Sequence, residues 1–229
     1  MLAGLDLSSA TFWSALGSIL LANVVLSGDN AVVIAMAART LKPEQRGKAI
    51  FFGSAAAIVM RILLTLVAIR LLGMPFLKIV GGCLLGYIGV DLLMGEDEGG
   101  GDGQEVTGMM AAIRTILVAD LVMSLDNVLA VAAAAKGNMP LLVIGLVVSI
   151  PLIVFGASLL TKVMERFPII ITIGAALLGF LAGEMLLTDP AVANYVGAVS
   201  ETTVQAAGVA GAVLVVAIGN WLQKRASRS

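Results

Sequence analysis

The sequence predicts an all-α, polytopic membrane protein: seven transmembrane helices arranged as two inverted three-helix repeats plus a C-terminal helix. Three observations carry that prediction. The chain of 229 residues is 59% hydrophobic and only 13% charged, whereas a soluble domain is about half apolar and a quarter charged. Its apolar residues gather into seven runs of membrane-spanning length. Polar residues that are rare inside those runs recur at matching positions in the two halves of the chain.

The runs cover 12–38, 49–72, 76–95, 113–135, 140–161, 168–187 and 206–223. Each is close to the roughly 20 residues that cross a bilayer as a helix. Backbone groups in lipid must be satisfied internally, so runs of this length are helices. The alternating ten-residue pattern of an outer-membrane barrel is absent. Asp6 stands where a signal peptide wants Lys or Arg, so the first run is expected to be kept rather than cleaved. The stretch 96–112, EDEGGGDGQEVTGMMAA, is Gly-rich and acidic and reads as a flexible cytoplasmic linker. The stretch 188–205 reads as an outside loop. The chain is thus expected to form one transmembrane domain, 1–229. Repeat one is 12–95, the linker 96–112, repeat two 113–187 and the seventh helix 206–223.

Lys and Arg set the orientation. Ten of them fall on one side, three (Arg70, Lys78 and Lys136) on the other, and Arg61 falls inside the second run. The positive-inside rule places the N-terminus outside and the C-terminus in the cytoplasm. The single cysteine, Cys83, excludes an internal disulfide and any Cys-cluster metal site, and the chain has no histidine.

The repeat appears at an offset of 97, where LANVVLSGDNAVVIAMAAR (21–39) meets VADLVMSLDNVLAVAAAAK (118–136). Ser27, Asp29 and Asn30 fall on Ser124, Asp126 and Asn127, and Asn23 falls on Asp120. At an offset of 93, GGCLLGYIGVDLL (81–93) meets GAALLGFLAGEML (174–186), which pairs Asp91 with Glu184. Each repeat holds three spans, an odd number, so the second enters the membrane inverted. Inverted repeats of this kind build many secondary transporters, with the substrate near the midplane.

Six ionisable residues fall within spans: Asp29, Arg61, Asp91, Asp120, Asp126 and Glu184. A charge at helix centre costs about 3 kcal/mol on insertion scales, so each reads first as functional. Five acids against one arginine leave a net negative bundle, for which a cation is the natural partner. Asn23, Ser27 and Asn30 lie at i, i+4, i+7, one stripe of a helix, and Asp120, Ser124 and Asn127 repeat it. Asp29 and Asp126 flank the stripes. Gly28 permits a kink or unwinding beside Asp29, whereas Leu125 stands in its place in the second repeat. Carboxylate, amide, hydroxyl and backbone carbonyl are all oxygen donors, suited to a hard divalent ion such as Mn2+, Mg2+ or Ca2+. Met36, Met60 and Met123 offer a soft thioether that would favour Mn2+, although methionine is also ordinary packing. Asp91 and Glu184 lie nearer span ends and are either site acids or groups that reach an interface. Arg61 is either a counter-ion to a carboxylate or a structural bridge. The glycines at 81, 82, 86, 89, 174, 179 and 183 read as close-packing seams.

The motifs LSGDNAVVIAMAA (26–38) and MSLDNVLAVAAAA (123–135), with GVDLL (89–93) and GEMLL (183–187), resemble the TerC family of integral membrane proteins, in its shorter YjbE/YkoY-like branch. The resemblance covers about 12–187. It implies a multi-pass protein of the bacterial inner membrane, associated with manganese export and, by the family's name, tellurite resistance. It also implies Asp29, Asn30, Asp126 and Asn127 as ion ligands, with acidic partners at Asp91 and Glu184.

The function expected is therefore a secondary transporter exporting Mn2+ from the cytoplasm by proton antiport. Asn23, Ser27, Asp120, Ser124 and Arg61 would support the site or couple protons to it. No P-loop is present, since GGGDGQ lacks the Lys and the Ser or Thr. A Ca2+/H+ exchanger is the alternative, and an amino-acid exporter is weaker because only Arg61 offers a fixed cation. An intramembrane aspartyl protease would need Tyr-Asp and Gly-x-Gly-Asp motifs at its two buried aspartates, but position 26 is Leu and position 122 is Val, so neither stands there. A membrane adaptor would lack a soluble domain with which to recruit anything. No enzyme activity and no prosthetic group are expected. The expected partners are a divalent metal ion and the bilayer, not nucleic acid, and the sequence is compatible with a homo-oligomer.

Overall fold

The computed structural model of the chain describes residues 10–26, 28–72, 74–95, 102–134, 139–197 and 199–226. The elements among them are all helices: α1 (Ala10–Leu26), α2 (Gly28–Arg39), α3 (Pro43–Leu72), α4 (Leu77–Met94), α5 (Asp102–Ala134), α6 (Met139–Arg166), α7 (Ile169–Leu187), α8 (Pro190–Val196) and α9 (Glu201–Ala226).

Six of the described helices, α3 to α7 and α9, are long and apolar enough to cross a membrane. The sequence reading counted seven spans. The first run is instead divided into α1, of 17 residues, and α2, of 12. At 1.5 Å per residue these reach about 26 and 18 Å, short of the roughly 30 Å hydrocarbon core. The division falls beside Gly28, where unwinding was expected; Ser27 itself lies outside the described residues. Two other boundaries move. Helix α5 begins at Asp102, so the latter part of the stretch read as a linker is helical. The stretch read as an outside loop contains α8 and the first turn of α9. In the second stretch the helices are capped, α8 by Asp189 and α9 by Ser200, whose Oγ accepts the Thr203 N–H at 3.2 Å.

The ends are chemically specific. Pro43 and Pro190 each occupy the first helical position, where a missing N–H costs nothing. Helix α4 ends on Gly95, whose φ of 59° is the left-handed conformation that glycine takes without strain. Its start is unusual. Phe76 has φ 68°, and its N–H donates to Asp189 Oδ1 at 2.9 Å. Asp189 is fully buried, and it also accepts from the N–H groups of Lys78 (2.9 Å), Ile79 (3.2 Å) and Ala191 (2.7 Å). One carboxylate therefore caps both α4 and α8.

Helix α2 lies at the centre, against α3, α5, α6 and α7. From Asn30 to Ala38 every residue but Val32 is buried. Helix α7 sits between α4 and α9, α3 lies along α5, and α6 touches α1, α2 and α3. The predicted glycine seams are real contacts. A methyl on Gly82 would come within 2.8 Å of the Ala182 carbonyl oxygen, and one on Gly183 would strike that of Ala207. Outward, large apolar side chains such as Phe51, Phe52, Phe155 and Leu159 are exposed, an arrangement that water penalises and lipid accepts.

Candidate cation site

Asp29 is the second residue of α2, and its Oδ1 accepts the Asn30 N–H at 2.8 Å. A carboxylate in the first turn is favoured there by the positive end of the helix dipole. Its side chain lines a cavity of about 300 Å3. Asn127 enters the lining from α5, Glu184 from α7 and Lys78 from α4. Thr188, just past α7, and Met123 complete the polar and thioether part. Leu85, Val122, Leu181 and Met185 supply apolar wall. At about 30 Å3 per water, such a volume holds on the order of ten waters, enough for a partly hydrated ion.

Three of the six predicted ligands thus converge: Asp29, Asn127 and Glu184. Asn30 does not join them. It is 3% exposed, and neither its Nδ2 nor its Oδ1 has a hydrogen-bond partner among the described residues. A buried amide left so costs about 1–3 kcal/mol. Asp91 is exposed and lines two other cavities, one of about 110 Å3 with Thr40 and Thr115 and a larger, mostly apolar one of about 950 Å3 with Tyr87 and Gly183. The two acids matched by the repeat, Asp91 and Glu184, therefore serve separate places. Ser27 and the side chains of Asn23 and Asp126 lie outside the described residues. Among those described, no group of three acids or thiols gathers to hold a metal. The converging set is two carboxylates, an amide and a hydroxyl.

Arg61, Asp120 and Ser124 form their own triad. Arg61 Nη2 meets Asp120 Oδ1 at 2.5 Å, Arg61 Nε donates to Ser124 Oγ at 2.9 Å, and Ser124 Oγ donates to Asp120 Oδ2 at 3.2 Å. All three residues are buried. The two possible roles of Arg61 are thereby one: it is counter-ion to a carboxylate and bridges α3 to α5. Of the three methionines, Met123 lines the cavity, Met36 is buried against Gly174, and Met60 packs with Leu64 and Leu125.

Sequence reasoning missed Lys78, Thr188 and Asp189. The first two are polar groups at span ends, which only the folded arrangement turns toward Asp29. Asp189 carried a readable signal, Asp followed by Pro, an N-cap with proline at the first helical position.

The model of the integral membrane protein TerC family matches residues 8–227. The chain belongs to the TerC family. Among similar proteins, the uncharacterized membrane protein YjbE of Bacillus subtilis is 47% identical over 167 residues, covering 73% of this chain and 76% of YjbE. A second Bacillus subtilis protein, the uncharacterized membrane protein YceF, is 26% identical, covering 78% of this chain and 73% of YceF. The UPF0053 inner membrane protein YoaE of Escherichia coli is 24% identical over 73% of this chain but only 36% of its own length. No solved structure matches the chain. This TerC-family chain is accordingly an all-helical integral membrane protein, with six described helices fit to span.

Proposed function

We propose that this TerC-family protein is a secondary transporter that exports a divalent cation, Mn2+, from the cytoplasm in exchange for protons. The observation that carries the reading is the convergence of Asp29, Asn127 and Glu184, from three helices, on one cavity. All the oxygen donors there suit a hard dication, and the Met123 thioether favours Mn2+ over Mg2+ and Ca2+. In this reading the protein lies in the bacterial inner membrane, N-terminus outside, with α1 and α2 together making the first of seven spans. It works as a carrier and not as an enzyme.

Much of the packing, though not the contacts of α2 with α3 and of α6 with α7, supports a repeat of two like halves. Exchange α1 and α2 for α5, α3 for α6 and α4 for α7. The pairing of α3 with α5 becomes that of α6 with α1 and α2, and α2 with α7 becomes α5 with α4. The pairs α2–α5, α3–α6 and α4–α7 map onto themselves, and each is in contact.

Membrane potential alone draws a dication inward by about 4.6 kcal/mol per 100 mV. Export therefore needs a coupling ion. Arg61 already balances the charge of Asp120, so the exchange of metal for protons falls to Asp29 and Glu184, which line the cavity, and to Asp126, the repeat counterpart of Asp29. The test is Mn2+ uptake into everted vesicles with an imposed pH gradient. Asp29→Asn and Glu184→Gln are each expected to cut flux more than about tenfold, consistent with loss of a charged ligand. Preference for Ca2+ over Mn2+ would replace the substrate; indifference to the gradient would remove the antiport; undiminished flux in both variants would remove the site.

A further inference from the structure

Lys78 lines the same cavity as Asp29 and Glu184. Its place there is built. It stands in the first turn of α4, where its backbone N–H is held by Asp189 Oδ2 at 2.9 Å and that of Ile79 by the same oxygen at 3.2 Å. Those bonds fix where Lys78 enters the lining that it shares with Asp29 and Glu184. An ammonium has three donors and no acceptor, so it cannot ligate a metal. It repels a cation that enters. The described lining carries Asp29 and Glu184 against Lys78, a formal net charge of −1 where two carboxylates alone would give −2.

We propose that Lys78 is a resident counter-cation of the transport site, competing with the metal ion for the two carboxylates. The proposal rests on the cation-transport reading above. A lysine head on a flexible four-carbon stem moves toward the acids when the ion leaves and gives way when one binds. Two consequences follow from charge. The site holds its dication loosely enough to release it, as conduction and transport require. It also selects by valence. Tethering gives the ammonium a high effective concentration, so a free monovalent ion of the same charge does not displace it, whereas a dication with twice the charge does. Na+ and K+ are thus excluded by a charge the protein carries itself.

The test uses the full chain purified in detergent, with bound Mn2+ read by loss of the free-ion paramagnetic resonance signal, and the same protein in liposomes for flux. Lys78→Gln is expected to bind Mn2+ about tenfold more tightly or better while its turnover falls, and to become sensitive to excess Na+. Lys78→Arg, which keeps the charge, is expected to behave as the native chain. Lys78→Met, uncharged and of similar length, repeats the measurement if the Gln variant is not recovered. Unchanged or weaker Mn2+ binding in the uncharged variants, beside a native chain that binds and transports, overturns the role of Lys78 alone. A native chain that neither binds nor moves Mn2+ removes the transport reading and this role with it.

Discussion

Two kinds of charge lie within this helical bundle, and the residues around them assign them different work. Arg61 and Asp120 are 2% and 5% exposed, and Ser124 bonds both. A pair so closed is matched within itself, and removing one partner strands the other in an apolar bundle, at about 3–5 kcal/mol. Arg61→Ala and Asp120→Ala should each lower the denaturation midpoint accordingly, in chemical unfolding of the detergent-solubilised protein. The double variant Arg61→Met/Asp120→Leu should recover most of that loss. Failure of the double variant to recover would mean that the triad does more than hold α3 to α5. Asp29, by contrast, faces a cavity whose walls carry other oxygen donors. Its expense was legible in the sequence, because an acid in an apolar run is rare. The presence of Lys78 beside it was not, since nothing in a run's edge says which way the fold will turn it. The repeat also suggested that Asp91 and Glu184 act alike, yet Asp91 lines two other cavities and not the one that holds Asp29 and Glu184. Asp91→Asn should therefore cost less Mn2+ flux than Glu184→Gln in the same vesicles.

Helices were legible because lipid forces the issue: an apolar run of about 20 residues has no other way to satisfy its backbone. Their ends were less so, because ends depend on caps. Asp189 is the clearest case. It ties the start of α4 to the start of α8 through four backbone N–H groups, across more than a hundred residues of sequence. It also holds Phe76 at a positive φ, which a residue with a Cβ adopts only under constraint. Asp189→Ala leaves those donors bare and should cost about 2–4 kcal/mol, with Asp189→Asn intermediate. Thermal unfolding in detergent would read the difference; equal midpoints for all three chains would show that the clamp contributes nothing. Helix α9 stands outside the repeat and packs on α7 and α4. Its seam with α7 is backbone against backbone at Gly179, Gly183 and Gly211.

At the scale of the whole molecule, the two halves are alike in sequence and unlike in exposure. Asn127 lines the open cavity, while Asn30, its counterpart in the repeat, is closed in and makes no side-chain hydrogen bond among the described residues. Glu184 borders that cavity and Asp91 does not. Under the proposed transport reading, two inverted repeats would exchange such environments when the carrier turns: the open half would close, and the buried amide would gain the polar surroundings it lacks. The state described has one half presented and the other shut. Cysteine labelling tests this directly once Cys83, which is exposed, has been replaced by serine. With a membrane-impermeant maleimide, Asn127→Cys should label readily and Asn30→Cys slowly in the state described here. Reversing the Mn2+ or proton gradient should invert the order, with Asn30→Cys then the faster and from the opposite side of the membrane. Labelling that favours Asn127→Cys under every gradient would mean that the two halves differ permanently, and that the repeat is a relic of sequence and not the moving part.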